Sequence, residues 1–285
     1  MTRRLGRPAA GFCWVLLAGA VLVHAALAAL AIAEFGAWGW PLPTWFDTGA
    51  VTLVLASAAA GLTASARMAA RAVAGSRRLR ALLRTGRRPI PHVIQNVAAG
   101  LGCAARLDMV DAAEAFAVTY RLVRPRILVS TGLATTLAPA EIGAVLAHEQ
   151  EHLRHRDPLR LLATRLVAAW GCYLPAAGWL AGQAALRREL AADRAAAGRA
   201  GRGVLAGALL KLASTPACPA VAAASQAGDG PRSLEARVAQ LEAGRPPRQR
   251  PSLSRLLASA GTMSVLAPAF LCCAALSPLM PGGWL

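Results

Sequence analysis

His148, Glu149 and His152 stand at H-E-x-x-H spacing in the stretch "AVLAHEQEHLRHRDPL", residues 144–159. On a helix, residues four apart share a face, so both imidazoles can reach one metal ion. A Glu directly after the first His points beside that face, where it can take a proton from a metal-activated water. With five His in 285 residues, random order gives roughly 0.002 to 0.003 such matches. The helical context and a third ligand must therefore decide what the pattern means.

A hydrolytic zinc site takes three protein ligands and keeps one position for water. The best candidate for the third is Glu189 in "RRELAADRAA", with Asp193 one turn later as the carboxylate that orients a ligating His. Taken alone, both read as solvated helix charges; the motif upstream reverses that reading. Gln150, Glu151 and His155 read as surroundings of the motif. Asp157 reads as a helix terminator or the partner of a nearby Arg. His24 and His92 read as structural.

These side chains need a helix, and the sequence supplies one. Pro139 suits a first helical position and Glu141 the first turn. Ile142, Val145 and Leu146 then give helical apolar spacing up to His148. Residues 90–135 read as a small β-containing unit. "HVIQNV" is a strand candidate, and strands at 115–121 and 126–130 are joined by a turn at Arg124-Pro125. Residues 187–198 read as helix. Residues 213–252 read as a linker, interrupted by a short helical piece at "SLEARVAQLE".

The chain is 56% hydrophobic with mean hydropathy +0.45 and net charge +17. That is too apolar for an ordinary soluble domain, so membrane spans are expected. Uncharged runs lie at 9–33, 49–66, 166–186 and 257–280. The first admits a signal-peptide alternative, since "AALAA" offers small residues for cleavage. Arginine is dense in "ARMAARAVAGSRRLRALLRTGRR" after the second run, and Met1–Arg7 carries three Arg. The positive-inside rule makes both segments cytoplasmic. A juxtamembrane anchor on anionic lipid is preferred to DNA binding for this stretch. Aromatic residues are only 5%, which argues against a stacking platform for single strands. The six cysteines form no C-x-x-C pair, so neither a disulfide framework nor a cysteine zinc site is indicated.

"STGLATTLAPAEIGAVLAHEQEHLRHRDPL", followed by "ELAAD", resembles the integral-membrane gluzincin peptidases, above all those of BlaR/MecR type. HtpX-like and CAAX-prenyl-protease enzymes share the scheme. The strong part runs from about 115 to 197. The resemblance implies that His148, His152 and Glu189 bind Zn2+, that Glu149 is the general base and that Asp193 supports a ligand. It makes Ala115, Phe116 and Ala117 a substrate edge strand, along which a peptide lies extended. Ala192 stands where many relatives carry Cys. The β-lactam sensors of this family append a penicillin-binding domain; with five residues after Met280, no such domain is expected here.

A shared metal puts both His and Glu189 on one side of the membrane, although the run 166–186 lies between them. That run is therefore expected to be a re-entrant hairpin broken near Pro175, or a buried helix. The expected fold class is mainly α membrane protein, with a cytoplasmic gluzincin-type α+β domain holding a small sheet. The expected domains are 1–67, two transmembrane helices and a short external loop; 68–256, the metalloprotease domain; and 257–285, a last transmembrane helix and tail. The N-terminus is expected inside the cell membrane and the C-terminus outside.

The function so indicated is a zinc endopeptidase acting on a protein or peptide, such as a cytoplasmic repressor. A non-catalytic membrane scaffold keeping the zinc site, and an HtpX-like quality-control protease, are the alternatives. The lipid bilayer is an expected partner, nucleic acid is not, and no residue pattern indicates an oligomeric state.

Overall fold

The structure is a computed structural model that describes residues 45–216, 218–221, 231–247 and 250–276. The expected first span at 9–33, with its signal-peptide alternative, lies outside the described residues. Among the described residues the chain is mostly helical, with one small mixed sheet. Its contacts divide it into two units: Met1–Met68 with Arg165–Ala181 and Arg250–Leu285, and Ala69–Thr164 with Gly182–Gln249.

In its described residues, the first unit begins with α1, Trp45–Gly86. At 1.5 Å per residue its 42 residues extend about 63 Å, twice a hydrocarbon core of about 30 Å. Its first half is apolar, and the half that enters the second unit is rich in Arg. Val54 and Ala50 bury against Ala269 of the last helix, which spans Leu253–Leu276 and is labelled α9 below. Gly61 allows a close approach, because a Cβ there would lie 2.7 Å from the Trp170 carbonyl oxygen. Two helical stretches, within Gly49–Gly86 and Leu253–Phe270, are long and apolar enough to cross a bilayer. Residues 166–186 do not form one helix: they fall at the end of one helix and the start of another, on either side of a turn at 171–174.

The second unit is built on a four-stranded sheet of order β1-β2-β4-β3. The strands are β1, Arg87–Arg88; β2, Leu107–Val110; β3, Ala117–Tyr120; and β4, Arg126–Ser130. β2 and β4 are parallel, and the other pairs antiparallel. "HVIQNV" is a helix rather than the expected strand: it opens α2, His92–Gly100. Pro91 pre-sets the entry, and Ile94 and Ala98, four apart, bury on one face. β2 was not expected, since Asp108 interrupts its apolar pattern. The Asp108 carboxylate is buried by pairing with Arg87 and Arg126 and by accepting from the Tyr120 hydroxyl.

Period-2 alternation gives the sheet two faces. Leu107, Met109, Ile127 and Val129 pack with Ile94, Ile142, Val145 and Leu146 on one side. Val110, Phe116, Tyr120 and Leu128 pack with Leu79 of α1 on the other. After β4 come α3, Thr131–Thr136; α4, Pro139–His155; α5, Asp157–Trp170; α6, Pro175–Ala200; α7, Arg202–Ala213; and α8, Pro231–Ala243. Ser130 Oγ accepts from Leu133 N to start α3, and also from Phe116 N.

Gly132 sits where a Cβ would lie 2.1 Å from the Ala113 carbonyl oxygen, an impossible contact unless backbone moves. Gly132→Ala is expected to cost about 3 kcal/mol. Thermal unfolding followed by circular dichroism checks this, and an unchanged midpoint would count against the packing described.

Candidate metal centre

α4 carries four nearly buried motif-region side chains: His148, Glu149 and Gln150, then His152 after the half-buried Glu151. The helix starts with Pro139 at its first position and the Glu141 carboxylate accepting from Ala138 N at 2.8 Å. Gln150 is fixed by donating to the Leu101 carbonyl and accepting from Arg199. Arg156 then adopts a left-handed conformation, φ 52° and ψ 44°, which ends α4 and lets α5 begin at once.

α6 brings Glu189, the third candidate ligand. The fourteen residues of α5 and the first fifteen of α6 each rise about 21 Å. Chain lost along one helix is thus regained along the other. Small residues let α6 and α7 approach α4: Ala144 and Ala147 cluster with Ala196 and Leu205. Ala192 is fully buried.

The result is a cluster of three residues in which each imidazole faces a different Glu189 oxygen. His148 Nε2 lies 3.1 Å from His152 Nε2 and 3.4 Å from Glu189 Oε2, and His152 Nε2 lies 3.5 Å from Glu189 Oε1. A tetrahedral ion with bonds of about 2.0–2.1 Å holds its ligand atoms about 3.3–3.4 Å apart. Donor type and spacing therefore both fit a zinc-sized ion, and these three residues form a group that could hold one.

Both imidazoles have a carboxylate behind them. His148 Nδ1 lies 2.9 Å from Asp193 Oδ1. His152 Nδ1 donates to Asp157 Oδ2 at 2.8 Å, which leaves the Nε2 lone pair toward the triangle. Asp157 is thus neither just a helix terminator nor simply an Arg partner; Arg188 approaches it at 3.8 Å from its other side. Arg237 of α8, the helix expected at "SLEARVAQLE", clasps Asp193 with two bonds of 2.8 Å and lies 3.7 Å from Glu189. Gln240 of the same helix donates to the Leu190 carbonyl at 2.8 Å. Glu149 accepts from Thr119 Oγ1 of β3 at 2.8 Å, and the same hydroxyl lies 3.0 Å from the Glu149 carbonyl oxygen.

Without metal, burial opposes charge on His148, yet Asp193 and Glu189 raise its pKa above the ordinary value. Burial likewise opposes charge on His152, but Asp157, Glu189 and Glu149 lift it well above that value. Burial alone would raise Glu189, and the two His hold it well below the carboxylate range. A cation in the triangle therefore competes with protons for these residues.

Of the three expected edge residues, Ala117 is in β3, an edge of the sheet, whereas Ala115 and Phe116 precede it and are buried. The Phe116 carbonyl accepts from Ser130 N while its N–H donates to Ser130 Oγ, so alternation turns the N–H and C=O groups of Ala117 and Thr119 away from β4. His155 is half exposed and lies against Glu151, and His92 begins α2.

Asp157→Ala is expected to weaken zinc affinity about 10- to 100-fold, because His152 loses the acceptor that sets its tautomer. Competition against a chromophoric chelator measures this. An unchanged affinity would show that Asp157 does not support the site.

A helix-borne pair of His, joined by Glu from a second helix and backed by carboxylates, is the donor arrangement of metal-dependent hydrolases. Residues 117–241 match the model of the BlaR1 peptidase M56 family. Over 58 residues the chain is 48% identical to a protease HtpX homolog of Thermoplasma acidophilum, covering 20% of this chain and 18% of that protein. It is 41% identical over 58 residues to a protease HtpX homolog of Acidiphilium cryptum, covering 20% of each. The chain thus spans about a fifth of the length of these curated relatives. Residues 117–241 are thus similar to the BlaR1-type peptidase M56 family, and a 58-residue stretch is similar to HtpX-type proteases. The match ends within α8, two residues before Ala243, and so includes Arg237 and Gln240.

Proposed function

We propose that this protein is a membrane-embedded, zinc-dependent endopeptidase that cuts a protein substrate on the cytoplasmic side. The carrying observation is the triangle of His148, His152 and Glu189 at 3.1–3.5 Å. Zinc held there supplies Lewis acidity toward the scissile carbonyl and toward water. Glu149 takes the water proton on its carboxylate and passes it to the leaving amine. The Thr119 bond fixes one Glu149 oxygen, and we assign the proton to the other. A substrate strand pairs with the outward groups of Ala117 and Thr119, which lays its backbone beside Glu149. Asp193 and Asp157 hold the imidazoles in place.

The apolar helices within Gly49–Gly86 and Leu253–Phe270 support a bilayer location. With the run 9–33 they make three spans, an inside N-terminus and an outside C-terminus. The turn at 171–174 supports a re-entrant hairpin, which keeps the three ligands on one side. The family resemblance favours a cytoplasmic repressor as substrate, with HtpX-like quality control as the second reading, motivated by the HtpX relatives.

The test uses the full chain in detergent. Zinc per chain is measured, and a candidate repressor and an unfolded model protein are offered before chelation, after it and after zinc return. One zinc per chain, with cleavage lost and regained, is the expected result. Cleavage of the repressor alone favours regulation, and cleavage of both favours quality control. Bound zinc with no cleavage of either would leave a scaffold.

A further inference from the structure

On the sheet face away from α4, α1 and the strand ends border an open hollow of about 660 Å³. It is lined by Arg80, Leu83, Arg84, Arg87, Asp108, Tyr120, Arg121 and Arg126, a size within the about 300–1,000 Å³ of ligand pockets. Arg80 and Arg84 are four apart and share a face of α1. Arg121 has φ 68°, and its guanidinium carbon lies 5.6 Å from the Tyr120 ring centroid.

The lining is charged out of balance. Its five Arg face one carboxylate, Asp108, for a surplus of four positive charges. Asp108 is already committed: Arg87 lies at 2.9 Å, the Tyr120 hydroxyl donates at 2.6 Å, and Arg126 grips it with Nε and Nη2. Burial pushes the Asp108 carboxyl up, but Arg126 and Tyr120 bring it below its ordinary value. Burial, with Asp108, pushes the Tyr120 phenol up to about 12. At neutral pH, Asp108 is therefore an anion and Tyr120 a neutral donor. Arg80 donates to its own helix at the Ser76 carbonyl. Among the described residues, Arg80, Arg84 and Arg121 have no carboxylate within 4.0 Å.

We propose that this hollow binds a ligand bearing a phosphomonoester or pyrophosphate group. Guanidinium forks match phosphate oxygens in pairs, and several forks converging on one hollow favour a multiply charged group over a single carboxylate. Asp108 and Tyr120 form the floor that holds Arg87 and Arg126, and Arg80, Arg84 and Arg121 supply the unmatched charge. The phosphate can be free or carried on a lipid. In the second case, Leu122 and Val123, exposed by 38% and 77% beside Arg121, gain contact with acyl chains.

The experiment titrates the full chain in a non-ionic detergent by calorimetry with pyrophosphate and with dioctanoyl phosphatidic acid, using dioctanoyl phosphatidylcholine as the control. Saturable binding of either phosphate probe is expected, weakened at least tenfold in the double variant Arg84→Gln, Arg121→Gln. The double variant Arg77→Gln, Arg78→Gln, on the same helix outside the lining, is expected to bind as the parent. Pyrophosphate binding alone assigns a free phosphate. Phosphatidic acid binding alone, reduced by Val123→Ser, assigns a lipid headgroup, and binding of both assigns the shared chemistry. Absence of saturable binding, or an equal loss in both double variants, would overturn the proposal. Circular dichroism confirms that each variant is folded.

Discussion

Glu149→Gln is expected to lower peptide cleavage by about 10²- to 10⁴-fold while leaving zinc per chain unchanged. Gln has the volume of Glu and still accepts from Thr119, so the link between α4 and β3 survives. It cannot take a proton from water. Glu149 is not among the three residues whose ligand atoms meet at 3.1–3.5 Å, so the substitution separates proton transfer from metal holding. Steady-state cleavage beside zinc analysis of the same preparation is the measurement. If both activity and zinc fell together, Glu149 would be a determinant of the metal site and another base would be required. Thr119→Val should act in the same direction but more weakly, since it frees the carboxylate without removing it.

The residues that make this argument differ in how visible they are in the sequence. His148 and His152 declare themselves because helical spacing alone puts them on one face, and Pro139, Ile142, Val145 and Leu146 announce the helix. Glu189 and Asp193 are found because a third ligand is required and a helical segment offers acids one turn apart. Asp157 is hidden by a local event: a left-handed Arg156 ends one helix and starts the next, so a residue five positions past His152 returns to it. Periodicity has no term for that. Thr119 and Arg237 are hidden by distance, since each acts on an acid 30 or 44 residues away. The helix that carries Arg237 is legible at "SLEARVAQLE", but nothing local points to its partner on another helix. "HVIQNV" misleads because its β-branched residues favour a strand in isolation, while Pro91 and burial at Ile94 and Ala98 select a helix. β2 escapes because a buried ion pair places Asp in a strand that is otherwise apolar.

Arg237→Leu is expected to destabilise the second unit by about 3–5 kcal/mol and to weaken zinc retention with it. Asp193 is fully buried, and Arg237 supplies two of its hydrogen bonds at 2.8 Å. Burial alone would raise the Asp193 carboxyl, and His148 and Arg237 together hold it below its ordinary value. Removing the guanidinium leaves a buried anion whose remaining partner, His148, must also serve the metal. Leu keeps much of the apolar contact of the Arg stem, so the loss reports charge and hydrogen bonding. Arg237→Lys should recover only part of the stability, because an ammonium cannot bond both carboxylate oxygens in the plane of a fork. The double variant Asp193→Asn, Arg237→Leu should be more stable than Arg237→Leu alone, since the stranded charge is gone, yet it should still bind zinc less tightly than the parent. That reversal is the diagnostic step. A mere packing role for Arg237 predicts additive losses, whereas coupling through the Asp193 charge predicts that the second substitution restores stability without restoring the metal. Chemical denaturation of the apo and zinc-loaded proteins, with competition for zinc, reads both quantities in the parent, Arg237→Leu, Asp193→Asn and the double variant. Additive losses in stability would refute the coupling and reduce α8 to a packing element beside the metal centre.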